Sequence, residues 1–184
     1  MIRWCSEREK GFTLMELLIA VAIVAVLAAI GIPVYSKLRG SAKQTEASIN
    51  LDAIRTAEEA YKMANGTYLA CPVSPRSTPD ENAVTWQALD SQGNQTTTSG
   101  FAALGFETNS AVRFVYEVVT YTANNNPTYM AGALGDTDGD STQILFLATP
   151  TRGPHVVDAN DTLPSGGICG VSDQGFDYTN YNKD

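Results

Sequence analysis

The chain has 184 residues, a net charge of −8 and a pI near 4.6. So acidic a chain, without a basic stripe interleaved with aromatics, disfavours direct, nonspecific binding to nucleic acid. Roughly 150 residues follow Val34, enough for one compact domain with a real core, and a second domain is not expected.

The first eleven residues form a short charged leader, with Arg3, Arg8 and Lys10 against Glu7 and Glu9. The apolar run Gly11 to Ser36 follows directly, and Leu17 to Ser36 carries no charge. Twenty helical residues span about 30 Å, the thickness of a bilayer core, so the run is read as a membrane helix. The basic residues before it place its start on the cytoplasmic side and the bulk of the chain outside. An ordinary secretory signal loses its apolar core on cleavage. Here the only plausible cut lies in front of the core, so the apolar segment would stay.

Glu16 is the odd charge in this segment. A charge deep in hydrocarbon costs about 2.5–3.5 kcal/mol, and such residues usually have a partner. Cleavage between Gly11 and Phe12 creates an α-amino group four residues from Glu16. In helices packed side by side with a stagger, the acid of one copy can meet the ammonium of the next, and each would neutralise the other in a dry bundle. The plain alternative is that Glu16, near the helix start, reaches the headgroups and needs no partner. Further along, Pro33 removes one ladder hydrogen bond and Gly31 softens the same stretch, so a bend or a loosened turn is expected near Ala29.

Phe12-Thr13-Leu14-Met15-Glu16-Leu17, with Pro33 and Tyr35 downstream, resembles the start of a mature type IV pilin. The resemblance is specific over Lys10 to Tyr35 and weaker to Tyr68. It implies a prepilin peptidase that cuts after Gly11 and N-methylates Phe12. It also implies that Phe12, Glu16 and Pro33 serve assembly. One departure is Ala25, where many such helices carry a glycine.

The helical pattern continues past Tyr35. Ala47, Leu51, Ile54, Ala57, Tyr61 and Ala64 recur at steps of three and four and make one apolar face. Asp52, Arg55, Glu59 and Lys62 lie on another, and Glu58 stands four residues before Lys62 in the favourable ion-pair order. Asn65-Gly66 stops the helix. Beyond Tyr68, Val73 to Asn82 and Gln92 to Gly100 read as loops, and Phe101 to Leu104 as a helical turn. Val112–Thr122, Thr128–Leu134 and Thr142–Thr149 read as strands, with a turn at Asn124 to Pro127. Pro150 to Asp184 reads as loop. The expected fold is therefore α+β and type IV pilin-like. A leader spans 1–11 and an apolar helix 12–36. A globular head spans 37–184, in which the helix continues to about residue 65 and packs on a small antiparallel sheet.

Cys5 falls in the leader, leaving Cys71 and Cys169 in an oxidising compartment. A disulfide between them is expected, worth roughly 4–5 kcal/mol if unstrained. Two free thiols are the alternative, and two cysteines without matched histidines make a poor zinc site. The turn Gly135 to Ser141 places Asp136, Asp138 and Asp140 at alternate positions, a candidate calcium site with Asp158 and Asp161 as added ligands. It lacks the glycine and glutamate spacing of an EF-hand, and a solvated acidic hairpin is the plain alternative. No cofactor is required. His155, the single histidine, reads as a surface-loop residue, and no nucleophile has a matching base. The chain is expected not to be an enzyme.

The leading functional expectation is a type IV pilus subunit, a homopolymer formed through the apolar helix. Its partners would be prepilin peptidase and, before assembly, the inner membrane. Its destination would be the cell surface, where a filament serves adhesion, motility or DNA uptake. A type II secretion pseudopilin is the nearest alternative, and a membrane-tethered domain that never polymerises is the alternative of another class.

Overall fold

A computed structural model describes residues 11–75, 82–137, 143–158, 161–164 and 167–169. The chain divides into two units, Met1–Arg39 and Gly40–Asp184. Helix α1, Leu14–Asn65, contributes to both. In the first unit its side chains are exposed on every side: Leu17, Ile19, Val24, Leu27, Ile30 and Val34 are all more than half accessible. This stretch is apolar all round and long enough to cross a membrane. The helix runs through Pro33 without interruption, and the Ser36 hydroxyl donates to the Pro33 carbonyl at 2.9 Å. The loosened turn expected near Ala29 is not seen.

The second unit is a five-stranded antiparallel meander in the order β1-β2-β3-β4-β5. Its strands are β1, Cys71–Ser74; β2, Val115–Ala123; β3, Asn126–Asp136; β4, Gln143–Ala148; and β5, His155–Val156. A four-residue helix α2, Phe101–Leu104, precedes β2. The three strands expected from the sequence are β2, β3 and β4, with ends shifted by up to three residues. Val112 stands apart from β2 and bridges Val84 instead. β1 runs into the segment expected as loop from Val73, and β5 lies within the one expected as loop from Pro150. Both are short edge strands, and β1 carries a proline and a bulge between Cys71 and Ser74.

Strand alternation sends side chains to two cores. Tyr116, Val118, Tyr129, Ala131, Ala133, Phe146 and Ala148 face α1, where Ala47, Leu51 and Ile54 are fully buried. Fully burying a side chain such as Leu51 contributes roughly 1.5–3 kcal/mol. Val115, Met130, Leu134, Leu145 and Leu147 face the other way, under Val157, Leu163, Ile168 and Cys169. Residues Tyr129 to Gly135 are therefore buried on both faces of the sheet. A strand covered on both sides reads as a continuous apolar run rather than an alternation.

Two glycines let the layers close. An added Cβ on Gly132 would stand 2.8 Å from Ile168, and one on Gly135 would stand 2.6 Å from the Phe114 ring. Phe114 is itself buried and packed edge-on against Phe146. Gly135→Ala should destabilise the chain by about 1–3 kcal/mol. The check is thermal unfolding, where a midpoint lower by several degrees is expected at about 2–4 °C per kcal/mol for this size.

Candidate assembly site and head clamps

Of the residues expected from the sequence to serve processing and assembly, Pro33 lies inside α1, and Gly11, Phe12 and Glu16 stand at the helix start. Thr13 and Glu16 form a reciprocal cap there. The Thr13 N–H and hydroxyl both donate to Glu16 Oε2, at 3.1 and 3.0 Å, and the Glu16 N–H donates to Thr13 Oγ1 at 3.2 Å. This is the capping box, and its signal in the sequence is the Thr-x-x-Glu signature at 13–16. The same carboxylate therefore begins the helix that it marks. Oε1 takes none of these bonds. Phe12 is 85% exposed.

Polar clamps fix α1 on the sheet in the second unit. Glu46 accepts the Arg113 backbone N–H at 2.7 Å and its guanidinium at 3.2 Å. Asn50 donates to the Tyr116 hydroxyl at 2.8 Å, and the Lys43 ammonium donates to the Thr137 carbonyl. The expected pair of Glu58 with Lys62 is not made. Glu58 is fully buried, and its Oε2 accepts the Leu69 N–H at 3.0 Å. Lys62 instead donates to the Tyr68 hydroxyl, which donates to Glu59. Helix periodicity puts Glu58 next to the apolar face, four residues beyond Ile54, and that was the available signal. Of the expected apolar face, Ala64 is exposed.

The two cysteines do not pair in this structure. Cys71 and Cys169 are both buried free thiols. Cys71 belongs to the core under α1 and Cys169 to the core on the opposite face of the sheet. The Cys169 N–H donates to Glu117, and its thiol points to the Val115 carbonyl at 3.7 Å. Burial pushes both thiols well above their ordinary range.

For the calcium expectation, Asp138 and Asp140 lie outside the described residues. Asp136 ends β3 opposite Gln143. Asp158 and Asp161, the proposed added ligands, are engaged elsewhere: Arg152 donates to each at 2.9 Å. His155 is not on a free loop but in β5, with Nε2 3.0 Å from Asp161 and Nδ1 2.8 Å from the Gly153 carbonyl. Among the described residues no group of three His, Cys, Asp or Glu side chains is placed to hold a metal ion.

Comparison with known proteins bears on the same N-terminal stretch. Residues 7–32 match the model of the prokaryotic N-terminal methylation motif. The chain is 50% identical over 56 residues to the type IV major pilin protein PilA of Myxococcus xanthus, covering 30% of this chain and 26% of that one. It is 38% identical over 72 residues to a fimbrial protein of Pseudomonas aeruginosa, covering 39% and 46%. It is 37% identical over 60 residues to the type IV major pilin protein PilE1 of Neisseria gonorrhoeae, covering 33% and 36%. The chain thus spans between a quarter and a half of the length of these relatives. No solved structure matches it. The motif is that of the prokaryotic N-terminal methylation family, and a long apolar helix that packs on a small antiparallel sheet is consistent with a type IV pilin-like fold. The proteins it resembles are structural subunits and not enzymes.

Two measurements check the head. Burial raises Glu58 from 4.5 to about 7, with Glu59 nearby adding to the rise and the Leu69 bond opposing it. The fold therefore favours the neutral acid. Its stabilisation is complete below about pH 4.5 and is lost as pH rises through 7, on the order of 2–3 kcal/mol in all. Between pH 5 and 8 the melting temperature should fall, and Glu58→Gln should flatten that slope. Second, a thiol reagent should leave the native processed chain almost unmodified. After denaturation without reductant it should titrate both Cys71 and Cys169.

Proposed function

We propose that this chain is a structural subunit of a type IV pilus. It is made as a prepilin, cut by prepilin peptidase between Gly11 and Phe12, and N-methylated on Phe12. Residues 12–36 hold it in the inner membrane and then form the contacts of a cell-surface filament built from copies of the chain. The observation that carries this reading is a helix that matches the methylation motif and exposes apolar side chains on every side. Such a surface needs lipid or other helices around it.

Within that reading Glu16 has two tasks. Oε2 caps its own helix through Thr13. Oε1 is left for the Phe12 ammonium of a neighbouring copy, and the pairing aligns the two chains along the filament. A bundle dry enough to bury the acid leaves it badly destabilised without that partner.

The test is shearing of cells, followed by electron microscopy and mass spectrometry of the released material. Filaments containing a chain that begins at methylated Phe12 are expected. Glu16→Ala should leave membrane insertion intact and reduce sheared filament at least about tenfold, the loss expected when one buried charge is left unpaired. Normal filament yield from that variant would refute the pairing. A chain that stays monomeric in the membrane with its leader attached would refute the filament reading itself.

A further inference from the structure

β1 leaves its neighbour early. It pairs with β2 only from Cys71, opposite Val118, to Ser74, opposite Tyr116. β2 and β3 stay paired as far as Ala123 and Asn126. Among the described residues, one edge of β2 therefore has no strand beside it beyond Val118. The cause is local: the Leu69 N–H, just before β1, is held by Glu58 of α1. The chain there turns toward the helix instead of continuing along β2.

The turn fixes which groups face the open edge. Asn124 and Asn125 have φ of 50° and 65°. This is the two-residue turn whose flanking pair, Ala123 and Asn126, exchanges hydrogen bonds. Odd-numbered residues of β2 thus bond to β3, and even-numbered ones face outward, as the pairing of Tyr116 and Val118 with β1 requires. Thr120 and Thr122 present their N–H and C=O groups along this edge. Among the described residues neither has a backbone partner there.

Exposed edges are normally blunted by charges, prolines or bulges. β2 has no charged residue and no proline from Val118 to Ala123. Beside it lies a groove of about 830 Å³, walled by Pro72, Val73 and Val119 and closed by the turn at Asp90 to Gly93. Its charged lining residues, Asp90 and Glu117, are both acidic. Asp90 is committed to its own turn, accepting the Gln92 and Asn94 N–H groups at 2.9 and 2.8 Å. Glu117 accepts the Cys169 N–H, and burial raises its pKa, so a cation beside it would favour the charged form.

We propose that the open edge at Thr120 and Thr122, with the acidic groove beside it, docks an extended segment of another protein that carries a basic side chain. The main chain of that segment continues the sheet beyond β1. Its alternate side chains pack toward Val119 and Tyr121, and its basic group meets Glu117. The inference uses only the second unit and does not depend on the pilus reading.

The test uses the full processed chain, isotope-labelled in detergent micelles, and a capped heptapeptide of alternating threonine and valine ending in lysine. Amide shifts should concentrate at Val119 to Ala123 and Ala70 to Val73. The same peptide ending in glutamate should bind about tenfold more weakly, as for a close charge pair. Glu117→Gln should erase that difference. Thr122→Pro, which removes an outward N–H and leaves the β2–β3 ladder, should weaken both peptides. A peptide N-methylated on alternate amides should not bind, and this control needs no variant. The proposal is overturned if millimolar peptide leaves the β2 edge unshifted, if the methylated peptide binds equally, or if the acidic peptide is preferred. It is also overturned if the edge amides are protected by self-association without peptide.

Discussion

The seat of α1 on the sheet is the contact on which the head depends. Ala47, Leu51 and Ile54 are fully buried there, and no other helix of comparable length covers that face among the described residues. Around this apolar strip stand Lys43, Glu46, Asn50 and Glu58, one polar group per turn or so, each bonded to a different part of the head. Apolar contact supplies the free energy, and the polar bonds fix the register of the helix on the strands.

Glu58 is the least comfortable of these groups. Its Oε1 is buried without a partner among the described residues, which favours the neutral acid. Its other oxygen takes the Leu69 N–H and so sets where the chain leaves α1 for β1. One carboxyl thus links three features: the pH response of the head, the late start of β1, and the bare edge of β2. The opposite face of the sheet is closed differently. Cys169 and Ile168 pack there against Gly132, and the Cys169 N–H is tied to Glu117. The two thiols fall on opposite sides of the sheet because Cys71 points from β1 into the core under α1, while Cys169 belongs to the segment that covers the other face.

The first unit obeys other rules. Apolar all round, its helix finds no core among the described residues of its own unit. Its end is capped reciprocally, the acid accepting the Thr13 N–H and the Thr13 hydroxyl accepting the Glu16 N–H, and one carboxylate oxygen takes no part in the cap. A single residue serves both the local fold and the proposed assembly.

The long helix, its apolar and amphipathic halves and the three central strands were all legible in the sequence. Each is written as a local period or a stop signal, and the processing motif is contiguous. The capping box at Thr13 and Glu16 is equally local, four residues that carry their own signature. The rest depended on contacts between distant segments. β1 and β5 exist only because β2 and β4 offer them edges, and two or four residues carry too little pattern to announce themselves. Glu58 reads as a surface ion-pair partner until Leu69 folds over it. Cys71 and Cys169 read as a disulfide until the sheet comes between their two cores. Asp158 and Asp161 read as ligands until Arg152 reaches them. Sequence determines what each segment prefers alone; which buried group meets which partner is decided when the chain closes on itself, because burial and pairing are properties of neighbours and not of residues.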